Sequence, residues 1–419
     1  MTTEWVRQVV VSGEENTERQ RRFPLGAALT IADLEEPGRE QLIDRLRTRE
    51  PVTWVPALNG WLVTGHQAAR WALGRAGLKV EAHENLVRAS LGPMMLTADG
   101  PDHVRMRRPF DGPFKINAVQ AAFASTIRRV ADDIIDGFAP GGAAEFGRAF
   151  AVPFAVRMAG EMLGLRLDIG QINGFYAAFA RAMVYDGDPR PLRLAETARD
   201  KLNAILAGEL EHSRREASDS ITSAVAHMPD GLDDTEIIAQ LRVILFGAVE
   251  TVQASLMSTL LLLLQNPGAL AAVTEDSSLL AGAGDEARRL IPPVNFIERW
   301  TGRPTAIASV EIPAGEFVGV SVLGANRDPG TFGEPQKFDI WRANNNRALS
   351  FSFGPHSCLG LNLARLENSI ALERVLRRLP GLTVTGYDEP SGFVFRRPAT
   401  LGLRWSTGAA RLNADYRRR

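Results

Sequence analysis

The chain has only one cysteine, Cys358, among its 419 residues. A single cysteine excludes an intrachain disulfide and is compatible with a reducing compartment, so we expect a cytoplasmic protein. It also excludes zinc and iron–sulfur sites that need several thiolates. The six histidines show no metal-ligand spacing, which argues against a second metal site.

The chain also lacks an excess of charge of one sign and a long hydrophobic run. Its 48 basic and 49 acidic residues give a formal net charge of −1, so nucleic acid is not an expected partner. The most apolar stretch, near Leu260 to Leu264, lies in a segment interrupted by Arg242, Glu250 and Gln253, and we expect no membrane span. No linker-like segment divides the chain, which favours one large α-rich unit.

Turn and cap signals indicate how the chain is organised. Asn59-Gly60 between apolar flanks predicts a β-hairpin. A capping box at Asp233 and Glu236 begins a long predicted helix that ends before Pro267. The other predicted elements are helices over most of residues 117–280 and short strands at 310–323 and 393–405. The pattern predicts a mainly α fold with small β-sheets.

Cys358 lies in the segment 351–360, between Gly354 and Gly360. One soft thiolate can be the single axial ligand of a haem iron, and glycines let a backbone turn around a sulfur and approach a flat macrocycle. A helix is predicted directly afterwards by Leu359, Leu363, Leu366 and Ile370. The N-terminus of that helix is expected to lower the thiol pKa. The alternative is a buried structural cysteine.

The same segment resembles a known family. Phe351, Gly354, Cys358 and Gly360 match the F-x-x-G-x-x-x-C-x-G haem loop of the cytochrome P-450 (haem-thiolate) family, and the chain is similar to its soluble bacterial members. The resemblance implies the cytochrome P-450 fold, haem b (iron protoporphyrin IX) and Cys358 as the iron ligand. It covers residues 25–406, which leaves a partly disordered N-terminal extension at 1–24 and a basic tail at 407–419.

Small residues occur inside the long helix, at Gly247-Ala248, directly before Glu250-Thr251. Glycine in a helix interior costs about 1 kcal/mol relative to alanine, so this position needs space. The resemblance implies that Gly247 and Ala248 face haem and O2, that Glu250 relays protons, and that Thr251 hydrogen-bonds the dioxygen. The family usually reads Ala-Gly here and often has threonine at Val252. The alternative is a helix contact with Glu250 in solvent.

Glu286 and Arg289 form an E-x-x-R pair, which is too short a motif to carry meaning alone. Exposed, such a pair contributes only about 0.2–0.5 kcal/mol. The resemblance implies a buried structural triad completed by Arg342, which would be expensive to break.

Basic side chains are needed around the two haem propionates. His103 and Arg107 are one helical turn apart, and the resemblance implies that four side chains reach the propionates, namely His103, Arg107, Arg299 and His356. The chain departs from the family at Ala348, where many relatives have histidine, and at Ser352, which is commonly glycine.

The segments that match the family's substrate contacts are mostly apolar, which predicts a small apolar or aromatic substrate. The predicted pocket residues are Met94, Met95, Leu96, Leu245, Val294, Asn295, Phe296, Phe393 and Val394. We hypothesise that Asn295 hydrogen-bonds a substrate oxygen. The alternative is a core-facing asparagine bonded to the backbone.

Electrons must come from outside the chain, since it has no flavin or iron–sulfur motif. The resemblance implies a ferredoxin and its reductase as electron donors. We hypothesise that Arg105, Arg108 and Arg365 form a basic patch near Cys358 that steers an acidic ferredoxin. The predicted reaction uses O2 to hydroxylate or O/N-dealkylate the substrate, in bacterial secondary metabolism or catabolism. Alternatives are a peroxide-driven or oxidative-coupling enzyme, a haem gas sensor, and a hydrolase with Cys358 as nucleophile and His356 as base.

Overall fold

The computed structural model describes residues 12–74, 77–82, 85–183, 188–228 and 231–407. The α-helices of these residues are, in chain order, α1 Gly13–Arg22, α2 Pro24–Ala27, α3 Ile31–Glu35, α4 Glu40–Arg49, α5 His66–Gly74, α6 Leu86–Leu91, α7 Gly100–Asp111, α8 Ile116–Phe138, α9 Val152–Leu163, α10 Ile169–Ala182, α11 Arg190–Arg215, α12 Ile221–Ala226, α13 Asp234–Gln265, α14 Pro267–Glu275, α15 Leu280–Leu290, α16 Val322–Asn326 and α17 Leu361–Arg378. The strands are β1 Val52–Val55, β2 Gly60–Val63, β3 Leu78–Lys79, β4 Ala143–Glu145, β5 Phe296–Thr301, β6 Thr305–Ile307, β7 Val310–Ile312, β8 Phe317–Ser321, β9 Thr383–Tyr387 and β10 Leu401–Arg404.

The strands form three small sheets beside the helices. The largest has the order β1-β2-β8-β5-β3, and the others are β4-β10-β9 and the hairpin β6-β7. The hairpin expected at Asn59-Gly60 is confirmed, because β1 pairs antiparallel with β2 and Asn59 takes the left-handed conformation with φ +43°. The mainly α fold with small sheets is therefore confirmed.

Helix α13 runs through the centre of the fold and packs against α9, α11, α15 and α17. Its predicted capping box is present, since the Asp233 side chain accepts from the Glu236 N–H and the Glu236 carboxylate accepts from the Asp233 N–H. Within the described residues, α13 alone is long and apolar enough to cross a membrane, but 78% of its most apolar window is buried inside the protein. A helix that is apolar on all sides is typical of a core helix.

Helix α1 lies within the predicted N-terminal extension, residues 1–24. Residues 13–22 are ordered in this helix, because Arg19 is buried and donates to both carboxylate oxygens of Glu316, at 2.8 and 2.6 Å. Its guanidinium also lies over the Trp54 ring, 4.5 Å from the centroid. Residues 1–11 of the extension and 408–419 of the tail lie outside the described residues.

The two late strand regions are shorter than the sequence predicts. In the first, the chain leaves β8 at Ser321 and begins α16 at Val322, capped by the Ser321 hydroxyl. In the second, Phe395 makes only an isolated bridge to Val294, and the continuous strand is β10. The bridge nevertheless holds the segment 393–397 next to Val294, just before β5.

Candidate functional site

A cavity of about 330 Å³ lies between α13 and the segment that carries Cys358. Helix α17 begins at Leu361 with Gly360 as its N-cap, so Cys358 lies just before the helix N-terminus, as expected. The Cys358 N–H donates to the Phe351 carbonyl at 2.9 Å, and Arg107 Nη1 donates to the Ser357 carbonyl at 2.9 Å. These bonds hold the loop closed around the thiol, whose accessible surface faces the cavity.

Gly354 is required by the shape of this loop. Its φ of +79° is a left-handed value, and a Cβ on it would lie 2.8 Å from both Gly74 Cα and the Leu73 carbonyl oxygen. Gly354 therefore packs against α5 and does not line the cavity, whereas Phe351 and Gly360 do. Ser352, the departure from glycine, also has a positive φ of +61°, and its buried hydroxyl makes no hydrogen bond in the described structure.

The thiol pKa corrects one expectation. Burial raises the pKa of Cys358 above its ordinary value of 9.0 and outweighs the Gly360 N–H and the charges of Arg107 and Arg288, which lower it. The free thiol is therefore not activated by the helix N-terminus alone. A coordinated metal cation deprotonates a thiol outright, so the residue fits an iron ligand better than a free nucleophile.

The wall opposite Cys358 is formed by one face of α13. Gly247, Ala248 and Thr251 line the cavity, and among the described residues nothing besides the backbone of α13 and the neighbours of Gly247 lies within 4 Å of where a Gly247 Cβ would stand. The Thr251 hydroxyl donates to the Gly247 carbonyl at 2.6 Å. Val252 lines the cavity too, so a methyl group replaces the second hydroxyl common in the family.

Glu250 does not line the cavity, and it is not on a solvated face either. It is 8% exposed, and its Oε2 accepts from Gln253 Nε2 at 2.8 Å. Arg397 Nε lies 3.6 Å from its Oε1. Burial raises the pKa of Glu250, and Arg397 and Gln253 oppose that rise. A buried carboxyl directly behind Thr251 is suited to hold and pass a proton.

Basic groups gather at one end of the cavity. His103, Arg107, Arg299 and His356 all line it. The rings of His103 and His356 are in contact, and His356 Nε2 lies 3.6 Å from Asp99 Oδ1. Burial lowers the pKa of Arg299 to about 10, and the charges of Asp99 and Glu298 oppose the effect.

Arg299 provides the test of whether this site fits haem. Its Nη1 donates to the Glu298 carbonyl at 2.7 Å, while its buried Nη2 has no hydrogen-bond partner among the described residues. A buried guanidinium donor without a partner is costly, and a propionate carboxylate would satisfy it. Together with Cys358, which lines the same cavity, these residues fit the haem that the resemblance implies.

The three residues of the predicted triad contact one another, with Glu286 and Arg289 fully buried and Arg342 largely so. Arg289 Nη2 and Arg342 Nε donate to the same oxygen, Glu286 Oε1, at 2.7 and 3.0 Å. Arg289 also donates to three backbone carbonyls, those of Asn326, Pro335 and Lys337. The triad therefore ties α15 to the segment that leads into the Cys358 loop.

The predicted pocket residues divide into two groups. The cavity is lined by Met95, Leu96, Val294, Phe296 and Val394. The other four do not line it: Met94 and Leu245 are core residues at 1% and 0% exposure, Phe393 packs on Phe296, and Asn295 is bonded to the backbone.

Asn295 corrects the hydrogen-bonding hypothesis. Its Nδ2 donates to the Phe393 carbonyl at 2.8 Å, and its Oδ1 accepts from the Leu323 N–H at 3.3 Å. The amide therefore joins the start of β5 to two other segments, and the side chain does not line the cavity.

Several residues that line the cavity were not among those predicted from the sequence. On α13 they include Ile244 and Phe246, and helical spacing back from Ala248 and Thr251 points to Ile244 rather than Leu245. Glu367, on α17, also lines the cavity, and burial raises its pKa to about 8. No sequence signal separates such a buried carboxyl from a solvated helix residue.

Comparison with known proteins identifies relatives along most of the chain. The model of the family described as cytochrome P-450 matches residues 192–390. Cytochrome P-450 107B1 of Saccharopolyspora erythraea is 31% identical over 365 residues, which are 82% of this chain and 86% of that protein. The 6-deoxyerythronolide B hydroxylase of the same organism is 30% identical over 378 residues, 85% of this chain and 92% of the relative.

Solved structures show the same similarity in three dimensions. A myxobacterial cytochrome P-450 in complex with myristic acid superposes with a TM-score of 0.81 at 26% identity, covering 90% of this chain and 99% of that one. The arrangement of helices around the cavity is therefore shared with relatives over nearly their whole length.

Proposed function

This chain belongs to the cytochrome P-450 family and is a haem-thiolate monooxygenase, and on that premise we propose that it hydroxylates or O/N-dealkylates a small apolar molecule with electrons from a ferredoxin and its reductase. The proposed cofactor form is haem b, with Cys358 as iron ligand and with His103, Arg107, Arg299 and His356 at the propionates. Secondary metabolism or catabolism in the cytoplasm is the proposed setting.

One observation carries the substrate class. Most of the described side chains that line the cavity away from its basic end are aliphatic, aromatic or thioether groups, including Met95, Leu96, Ile244, Phe246, Val294, Phe296, Val394 and Phe395, and polar ones such as Ser255 and Glu367 are fewer. Such a wall selects a ligand by shape and apolar contact. The 6-deoxyerythronolide B named for one relative and the myristic acid bound by another support a substrate of this class.

The chain's own residues provide for proton transfer. Haem, when bound, supplies an iron that binds and activates O2. Thr251 presents its hydroxyl at the cavity, while Glu250, one position earlier, faces away from it toward Arg397. A proton can therefore enter from the solvent side beside Arg397 and pass from Glu250 to the neighbouring Thr251, which lines the cavity. This arrangement favours the O2 reaction over a peroxide-driven or oxidative-coupling one, which needs no such relay.

The proposed ferredoxin surface differs in detail from the expected one. Arg105 forms two hydrogen bonds with Glu236, at 3.0 and 2.6 Å, and Arg365 Nε lies 2.9 Å from Asp285, so both charges are partly neutralised. A depression beside the Cys358 loop is lined by further arginines, Arg70 and Arg347, which are exposed. We place the docking surface there. Reduction that is insensitive to salt would contradict electrostatic docking.

The test uses purified protein and a defined set of ligands. The reduced protein with carbon monoxide should give the spectrum of a thiolate-ligated haem, and neutral apolar compounds, among them 6-deoxyerythronolide B, should displace water from the ferric iron. Colourless protein or a globin-like spectrum would overturn the haem-thiolate assignment. Binding of charged hydrophilic compounds alone would overturn the substrate class.

A further inference from the structure

The segment 394–397 contacts α13 at two points one turn apart. The Phe395 and Phe246 rings pack edge to face, with centroids 5.3 Å apart. Two residues later, Arg397 Nε lies 3.6 Å from Glu250 Oε1. Two residues of extended chain span about 6.6 Å, and four residues of helix span about 6.0 Å, so the two contacts are in register.

Backbone bonds fix this segment between its neighbours. The Asn295 N–H donates to the Val394 carbonyl at 2.8 Å, and the Arg396 N–H donates to the Pro293 carbonyl at 3.1 Å. Ser391 and Arg397 exchange two backbone hydrogen bonds, at 3.2 and 3.3 Å. These bonds tie the backbone of the segment to Pro293, Asn295 and Ser391, so a displacement at one of its residues would be passed to the next.

The side chains of this unit reach both the cavity and the carboxyl. Val394 and Phe395 line the cavity, so a ligand there would touch them. Arg397 is 31% exposed and its Nη1 donates to the Pro398 carbonyl at 3.1 Å, which holds the guanidinium between solvent and Glu250. The same short segment thus connects the substrate space to the buried acid.

Glu250 has few polar neighbours. Within the described residues, the groups that act on its carboxyl are the Arg397 guanidinium and the neutral Gln253 amide. Burial raises the pKa of Glu250, and Arg397 is the largest of the opposing influences. The distance between Arg397 and Glu250 therefore influences how readily this carboxyl ionises against the effect of burial.

We propose that Arg397 is the positioning residue for Glu250, and that Phe395 transmits occupancy of the cavity to it through the segment 394–397. The inference rests on the proposed role of Glu250 as proton relay. A ligand packed on Val394 and Phe395 immobilises the segment and keeps Arg397 against the carboxylate, which is then ready to accept a proton from the solvent side. An empty cavity leaves the segment looser and favours the protonated acid.

The experiment titrates the protonated Glu250 carboxyl by infrared spectroscopy in the haem-loaded ferric protein, with Glu250→Gln assigning the band. In Arg397→Gln the midpoint should move to higher pH, because the cation that favours the carboxylate is gone. Arg397→Lys should restore the midpoint in part. Arg404→Gln, at an exposed position on β10, is the matched control and should leave the midpoint unchanged.

Phe395→Ala tests the transmission. It should move the midpoint in the same direction as Arg397→Gln, and the double variant should titrate like Arg397→Gln alone, because both changes act through one contact. A merely structural effect of Phe395→Ala would admit water and move the midpoint to lower pH, which would overturn the transmission.

The outcomes separate the inference from the function on which it rests. An unchanged midpoint in Arg397→Gln, with a normal thiolate spectrum, would overturn the positioning role and leave the monooxygenase assignment intact. Full coupled turnover in Glu250→Gln would instead contradict the role of Glu250 as proton relay. The absence of a thiolate-ligated haem spectrum in the unmodified protein would contradict the proposed haem site.

Discussion

The imidazole rings of His103 and His356 pack at the basic end of the cavity with centroids 4.2 Å apart and a tilt of 50°. Burial, together with the positive charges of His356 and Arg107, lowers the pKa of His103 to about 4. A further positive charge is therefore disfavoured at this end of the cavity. Two carboxylates brought to this end would instead meet favourable charges and donors, which is the electrostatic reason for assigning the haem propionates to it.

Replacing Arg299 by leucine should weaken haem binding. The buried Nη2 without a partner is available for a charge-assisted hydrogen bond, which contributes about 1.5–3 kcal/mol, so binding should fall by roughly 10- to 100-fold. The measurement is the rate of haem transfer to apomyoglobin. Arg303→Leu, at an exposed position near the end of the same strand, is the control, and equal transfer rates for the two variants would contradict the assignment.

Breaking the Glu286–Arg289–Arg342 triad should destabilise the fold and release haem. Glu286→Ala or Arg289→Ala leaves an unpaired buried charge, at a cost of about 3–5 kcal/mol. Denaturant unfolding and the ratio of haem absorbance to protein absorbance measure the two effects. Glu275→Ala, at an exposed position of α14, should change stability by less than about 0.5 kcal/mol. Normal haem incorporation in either triad variant would count against this role.

Ser352→Gly should stabilise the protein. A side chain at φ +61° costs roughly 1–2 kcal/mol relative to glycine, and the substitution also removes a buried hydroxyl that has no partner. Urea unfolding should give a higher midpoint. Ser350→Gly is the contrasting variant, because the Ser350 hydroxyl accepts from Asn326 and donates to the Arg288 carbonyl, and its loss should lower the midpoint. A lower midpoint for Ser352→Gly would show that the strain is absent.

The stability of the protein should depend on pH through Glu367. Burial raises the pKa of this carboxyl from 4.5 to about 8, so between these values the folded protein keeps a proton that the unfolded chain releases. The free energy of unfolding should therefore fall as the pH rises through this window, by up to about 1.4 kcal/mol per pH unit.

Glu367→Gln removes this titration and keeps the shape of the side chain. The difference in unfolding free energy between the variant and the unmodified protein should grow in favour of glutamine from about pH 5 to about pH 8. Guanidinium unfolding at several pH values in this range measures it. A constant difference would mean that Glu367 ionises in the folded protein as it does in the unfolded chain.

Local signals in the chain predicted the parts of the site that depend on neighbours in sequence. The Cys358 loop, its glycines and the helix after it are short-range features, and Asp233 with Glu236 caps α13 as expected. Asn295 and Leu245 were misplaced because the direction of a side chain from a strand or a buried helix depends on the packing of distant segments. One helical position separates Leu245, in the core, from Ile244 and Phe246 at the cavity.

The amino-acid order alone determined the family and the mainly helical architecture and predicted Cys358 as the iron ligand, because a lone thiolate in a glycine-flanked loop and a capped apolar helix are properties of adjacent residues. Only the tertiary structure decided in which direction the pKa values of the buried acids shift and which side chains line the cavity. Burial and the approach of Arg397 to Glu250 join segments that lie 147 positions apart in the chain, and the electrostatic energy of a charge depends on what surrounds it in space.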